Sequence, residues 1–281
     1  MTRSLIRVAR SIYKATPFAA VRALYFTAFC RVMQNRRVRA VIRGSVFELD
    51  LGEMIDVALY LEQYELDVAA ALTRYCTPGM TVLDIGANIG AHTLALGQLV
   101  TTRGRVFAFE PTDFAFEKLT RNLSLNSVPH VSAIRAALSD HNAERQPIEF
   151  RSSWRTSGGR SDRAAFVDFL RLDDWCARNG VSEVGLIKID IDGNEFDALS
   201  GGIDLIGRSR PVMVMEAVAP HFGSPARNPF LLLQRLGYQF RDAKSDHPYA
   251  NVQEIANLFP HEDRAMTTSF NVIATAPGPA R

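Results

Sequence analysis

Hydrophobic and polar positions along this chain fall into three successive patterns. Near the start, Arg3, Arg7, Arg10 and Lys14 recur at spacings of four, three and four, with Leu5, Val8 and Ile12 on the opposite side. That spacing predicts an amphipathic helix, which Pro17 breaks or restarts. Phe18 to Met33 is apolar and aromatic but interrupted by Arg22 and Arg31. It therefore falls short of the roughly 20 apolar residues that a membrane crossing needs. It also lacks the small-residue cleavage site of a secretory signal.

The second pattern begins at Gly44. Ser45 to Leu51 alternates and predicts a short strand, and Asp56 to Tyr75 reads as helical, closed by the turn Thr77-Pro78-Gly79. The third pattern fills the rest of the chain, with apolar runs alternating with helical stretches. Strands are expected at Thr81–Ile85, Arg105–Phe109, Val131–Ala137, Val184–Ile189, Val212–Ala217 and Phe270–Ala274. Helices are expected at Ala91–Leu99, Phe114–Leu125, Asn194–Gly201 and Pro229–Leu236. Uninterrupted apolar strands alternating with helices predict an α/β fold, a mostly parallel sheet covered on both faces. We expect a Rossmann-like arrangement of seven strands, one more than the six runs located here, divided as an arm (1–43), a small subdomain (44–77) and the main α/β domain (78–281).

Charge sharpens this division. Ten of the 32 Lys and Arg lie in residues 1–43, while no acid precedes Glu48, so the remaining 22 bases face all 30 acids. A basic helical arm thus precedes an acidic body. It can lie on an anionic membrane surface, serve as an organelle transit segment, or cover the main domain or a second subunit. Charge alone does not favour nucleic acid. Cys30, Cys76 and Cys176 are odd in number and far apart. They exclude a disulfide framework and a zinc motif, and suit a reducing, cytoplasmic compartment. Between the third and fourth strands, the Ser-, Gly- and Arg-rich stretch 151–163 is expected to be a loop. Its Trp154, Arg155 and Arg160 are suited to close over a sugar or an anion.

The chemistry concentrates after the first of the main strands. Val82-Leu83-Asp84-Ile85-Gly86-Ala87-Asn88-Ile89-Gly90 reads as strand, glycine loop and helix start. Glycines there let the backbone approach a ligand, and helix amides can hold a carboxylate or phosphate. A dinucleotide fingerprint would carry Gly where Asn88 stands. Asp84 would repel a pyrophosphate but bind an α-ammonium, which favours S-adenosylmethionine over NAD. Glu110, ending the next strand, can accept from both ribose hydroxyls. Asp140, after Ala137-Leu138-Ser139, can accept from an adenine amino group.

These stretches resemble the FkbM-type methyltransferase family. The likeness runs through EQYE (62–65), PGMTVLDIGANIGAHT (78–93), VFAFEP (106–111), NLSLN (122–126), ALSD (137–140) and LIKIDIDGNEFDALSGG (186–202). The family pattern Lys-x-Asp-x-Glu-Gly-x-Glu is met by Lys188, Asp190, Gly193 and Glu195, with Asp192 in place of Glu. The resemblance implies O-methylation of a hydroxyl on a small molecule, sugar or glycan.

An activated methyl group needs a positioned nucleophile and somewhere for its proton to go. Asp190 and Glu216 are the expected catalytic residues, Asp190 first, with His221 and Asp192 also at that end of the sheet. Asp190 could instead cap the following helix or orient Lys188, and His221 could be a loop residue. No resident metal is expected, although Asp190, Asp192 and Glu216 have the chemistry to hold Mg²⁺. Two further readings remain open at this point: an NAD(P)-dependent oxidoreductase, and a non-catalytic Rossmann-like module in glycan assembly.

Overall fold

In a computed structural model, the structure describes residues 36–151, 162–259 and 269–276, together with Phe26, Ala28, Phe29, Val32 and Met33. The chain divides into two units, one holding residues to Leu66 with Ser124–Asn126 and Ile148–Ala165, the other holding the rest.

In the first unit, β1 (Arg37–Ile42) and β2 (Ser45–Asp50) form an antiparallel hairpin. Residues 37–42, expected inside the helical arm, are therefore strand. The reason is local. Arg37, Arg39 and Val41 are exposed while Ile42 is buried, a period of two. Arg43 and Gly44 both take positive φ, 48° and 84°, which suits the tight turn a right-twisted hairpin requires. The five placed residues between 26 and 33 are helical, while 1–25 lie outside the described residues. Helix α1 (Met54–Tyr60) begins where the Asp56 carboxylate accepts from the Asp50 N–H at 2.5 Å. The single helix expected over Asp56–Tyr75 is broken at Glu62 and Glu65, both at positive φ, and resumes as α2 (Leu66–Tyr75).

The second unit is built on one sheet. Its elements are β3 (Thr81–Ile85), α3 (Ala91–Val100), β4 (Arg105–Phe109), α4 (Asp113–Ser124) and β5 (Val131–Ile134). After a detour come α5 (Leu172–Arg178), β9 (Leu186–Ile189), α6 (Glu195–Ser200), α7 (Ile203–Ser209) and β10 (Val212–Val218). The chain finishes with α8 (Pro229–Arg235), β11 (Gln239–Asp242), β12 (Pro248–Tyr249), α9 (Val252–Ala256) and β13 (Ser269–Thr275).

The strand order is β12-β11-β13-β10-β9-β3-β4-β5, with β10, β9, β3, β4 and β5 parallel and β13 antiparallel to both of its neighbours. Among the described residues the sheet has eight strands where seven were expected, and neither β11 nor the two-residue β12 was located in the sequence, since Gln239–Asp242 holds a single apolar residue and β12 is too short to register as an apolar run. Alternate residues face opposite sides. Val82, Val106, Leu186 and Val214 pack on α2 and α3, whereas Leu83, Phe109, Ile187 and Met213 pack on α5, α6, α7, α8 and α9. Order reverses between β3 and β9, the kind of crevice at which open α/β sheets bind ligands.

The detour corrects two expectations. The strand expected to run to Ala137 stops at Ile134, and β6 (Ala137–Ser139) joins a separate three-stranded sheet with β7 (Ala143–Arg151) and β8 (Asp162–Arg171). The loop expected at 151–163 is flanked by strands reaching Arg151 and Asp162, so only 152–161, with Trp154, Arg155 and Arg160, lies outside the described residues.

Candidate functional site

The site grows from sheet register. Ile85 pairs with Phe109 on one side and Ile189 on the other, and Ile189 pairs with Met215. One residue further on, Glu110, Gly86, Asp190 and Glu216 therefore form one row across four adjacent strands at their carboxyl ends. The Asp190 N–H donates to the Ile85 carbonyl at 3.1 Å, which extends this register past β9.

The loop at the head of β3 is tied on both sides. The N–H groups of Gly86 and Ala87 both donate to the Phe109 carbonyl at 3.0 Å. Gly86, Asn88 and Gly90 all have positive φ, 80°, 47° and 89°. Gly and Asn are the residue types that occupy this region most readily. A Cβ on Gly86 would fall 1.9 Å from the Asp190 carbonyl oxygen, and one on Gly90 2.8 Å from Leu119. The glycines are thus demanded by the approach of β9 and α4 as well as by any ligand.

Glu110 is 6% exposed. One carboxylate oxygen accepts from the Asn88 N–H at 2.9 Å, the other from the Thr112 N–H at 2.9 Å and its hydroxyl at 2.6 Å. Burial raises its pKa, opposed by those hydrogen bonds and by the Lys188 charge. Glu110 is held rigidly beside the loop, with one lone pair left on Oε2 for a further donor.

Asp84 differs from its expected setting. It has no exposed surface, its Oδ2 accepts from the Thr93 hydroxyl at 2.6 Å, and its Oδ1 lies 3.6 Å from the Lys188 ammonium. A carboxylate so enclosed has no open side toward a ligand. Asp84 and Lys188 are direct register partners on β3 and β9. The lysine Nζ also donates to the Gly86 carbonyl at 2.7 Å and lies 3.7 Å from Asp190 Oδ2.

The Asp190–Glu216 side of the row is less enclosed. The Asp190 side chain is 27% exposed, and Glu216 is half-buried. Asp192 is exposed with φ 54°, followed by Gly193 at 99°. Asp tolerates that left-handed conformation well, which accounts physically for the shorter acid there. Glu195 is fully buried. Its Oε1 accepts from the Ile191 N–H at 2.9 Å, and its Oε2 accepts from His221 Nε2 at 2.5 Å. His221 Nδ1 accepts from the Val218 N–H at 3.4 Å, so Nε2 is the nitrogen that donates to Glu195. With both nitrogens engaged and 3% of its surface exposed, His221 braces the loop after β9 and is not placed as a base.

Asp140 stands apart from the row. It follows β6, is exposed, and is bonded to His141 Nδ1 at 2.7 Å, a contact that lowers its pKa. Behind it, Gly201 lets α6 approach β6: a Cβ there would meet the Ser139 carbonyl at 1.9 Å. Among the described residues, no group of three or more His, Cys, Asp and Glu is placed to hold a metal ion.

The sequence named Glu195 only as a motif letter and Lys188 as that and as a side chain Asp190 could orient, and gave no sign of Thr93 and Thr112. The signal for Lys188 was present. Asp84 and Lys188 are opposite charges, each set within an apolar strand run, and buried charges need partners.

Comparison with known proteins adds a family. A profile described as "Methyltransferase FkbM domain" matches residues 84–240, more than half of the chain. The chain is 28% identical to 2-O-methyltransferase NoeI of Sinorhizobium fredii over 155 residues, 47% of this chain and 61% of that one. It is 25% identical to hexuronic acid methyltransferase AglP of Haloferax volcanii over 140 residues, 49% of this chain and 56% of that one. Against 31-O-demethyl-FK506 methyltransferase FkbM of Streptomyces tacrolimicus, identity is 29% over 160 residues, 44% of this chain and 60% of that one. In each case the match spans less than two thirds of the relative's length.

Proposed function

The chain belongs to the FkbM methyltransferase family, and from that premise we propose that it transfers a methyl group from S-adenosylmethionine to a hydroxyl of a sugar, glycan or natural product. The observation that carries this reading is the row Glu110–Gly86–Asp190–Glu216 at the point where strand order reverses. An anchored acid stands on one side of the glycine loop, and two more accessible acids stand on the other.

In this reading Gly86, Asn88 and Gly90 shape the loop that receives the methyl donor, and Glu110 accepts from a ribose hydroxyl. Asp140 is assigned to the adenine amino group. When bound, S-adenosylmethionine supplies a methyl already activated on a sulfonium, so the protein's task is alignment and proton acceptance. Alignment of reacting groups accounts for about 7–11 kcal/mol of a barrier in the best intramolecular cases. Asp190, closest in register to the loop, accepts the proton of the acceptor hydroxyl, and Glu216 orients that hydroxyl from the next strand.

NoeI is named a 2-O-methyltransferase and AglP a hexuronic acid methyltransferase. These names support a carbohydrate acceptor here. Cys76 and Cys176 are free and buried, and burial pushes both thiols up to about 11, which leaves them unreactive. No described helix is long and apolar enough to cross a membrane. The basic arm is assigned to peripheral contact with an anionic membrane surface, where a lipid-linked glycan would meet the enzyme.

The test is methyl transfer. Purified protein and S-adenosylmethionine should add one methyl to a hydroxyl-bearing component of a glycan or lipid fraction, read by mass spectrometry. Asp190→Asn should bind S-adenosylmethionine like the parent but turn over at least 100-fold more slowly, the lower end of general-base effects. Full turnover in that variant would remove Asp190 from its role. A parent protein that binds NAD(P) and not S-adenosylmethionine would sink the reading itself.

A further inference from the structure

The geometry points to Lys188 as the positioning residue of the glycine loop, with Asp84 answering its charge; this rests on the cofactor reading above. Lys188 is 3% exposed, in the penultimate position of β9. An ammonium stripped of water at that depth is costly unless its donors are used and its charge is answered. Both conditions are met. Nζ donates to the Gly86 carbonyl at 2.7 Å, while Asp84 and Asp190 lie at 3.6 and 3.7 Å.

The placement is specific. β3 and β9 flank the crevice where strand order reverses, and Lys188 and Asp84 are register partners one layer below its floor. From the β4 side the loop is held by its own amides, through Phe109 and Glu110. From the β9 side its carbonyl is held by Lys188, across 102 residues of sequence. Gly86 has φ 80° and faces the Asp190 carbonyl closely, and among the described contacts its own carbonyl accepts from Lys188 Nζ. A charged donor at 2.7 Å is the strongest of those described. The same ammonium faces the Asp190 carboxylate. One buried charge thus fixes the loop and the proton-accepting side chain relative to each other.

The competing account is that Lys188 merely neutralises Asp84. A charge-balanced pair of variants separates the two. Lys188→Met should lower the melting temperature, because Asp84 keeps a buried charge with its cation gone. Lys188→Met with Asp84→Asn removes both charges and should restore most of that stability. If Lys188 positions the loop, the double variant will still show faster hydrogen–deuterium exchange over residues 85–90. It will also bind S-adenosylmethionine roughly tenfold more weakly or worse, the scale of a lost hydrogen bond to a charged group. Asp84→Asn alone, with Lys188 still on Gly86, should keep the loop's exchange near that of the parent.

A double variant with parental loop exchange and parental affinity would overturn the proposal, as would equal loosening by Asp84→Asn alone. Should the parent bind no S-adenosylmethionine, the cofactor reading fails, and loop exchange in the unliganded proteins still decides the role of Lys188. Should Lys188→Met not fold, the double variant and Asp84→Asn carry the same comparison.

Discussion

Individual residues here are governed by where their charge can go. Burial holds the Glu110 carboxyl above its ordinary pKa, against the pull of Thr112, Asn88 and Lys188. A folded value above the unfolded one means the native protein binds that proton more tightly. The resulting stability is complete below the unfolded pKa and is lost as pH rises through the folded one. Glu110→Gln abolishes the titration, so the parent's stability relative to the variant should decline across that window, read by urea denaturation at several pH values. Ligand affinity should run the other way. Ribose hydroxyls need an ionised acceptor, so S-adenosylmethionine binding by calorimetry should strengthen as pH rises across the same window and stay flat in Glu110→Gln. Gly86, Asn88, Gly90 and Glu110 were legible from type and spacing, because loop glycines and strand-end acids leave a local signature. For Asp84 and Lys188 the sequence showed two opposite charges within apolar runs but not their pairing, which strand register makes across 104 positions of sequence.

At the level of elements, loops after strands are braced by buried polar pairs. Glu195, at the first turn of α6, and His221, beyond β10, tie two such loops together at 2.5 Å. Replacing His221 by Leu leaves a buried carboxylate oxygen without its donor, a change that costs about 1–3 kcal/mol or more for a charged group. Glu195→Gln should cost less, since its amide oxygen can still accept from Ile191 or His221. Denaturation midpoints for the two variants check that order, and the reverse order would remove the brace. The parallel strands were read within a few residues because each is a continuous apolar run. Strand β2 was read from its alternation, but β1 was missed because the ten basic residues of 1–43 drew the reading toward a helix, although Val38, Ala40 and Ile42 already alternate with Arg37, Arg39 and Val41. Ala137-Leu138-Ser139 reads like the tail of β5. Nothing in three residues says that they will leave the main sheet and pair with β8.

Across the whole molecule, charge is segregated, with ten bases and no acids in residues 1–43 against 22 bases and 30 acids after them. Contact with an anionic surface should therefore depend on the arm and on salt. The full chain should co-sediment with phosphatidylserine vesicles at low ionic strength and release as salt shortens the screening length to about 8 Å near physiological strength. A form lacking residues 1–35 should not bind them. Equal binding by both forms, or none by the full chain, would return the arm to a packing role. The sheet itself carries another consequence. Its β13, the last strand in sequence, lies between β10 and β11, antiparallel to both. On a ribosome the earlier strands emerge with β10 presenting a bare edge, and β11 has no place beside it until residues 269–275 arrive. Synthesis thus passes through a stage in which an apolar edge waits for its cover, a window in which chaperones or neighbouring chains compete with the protein's own final strand.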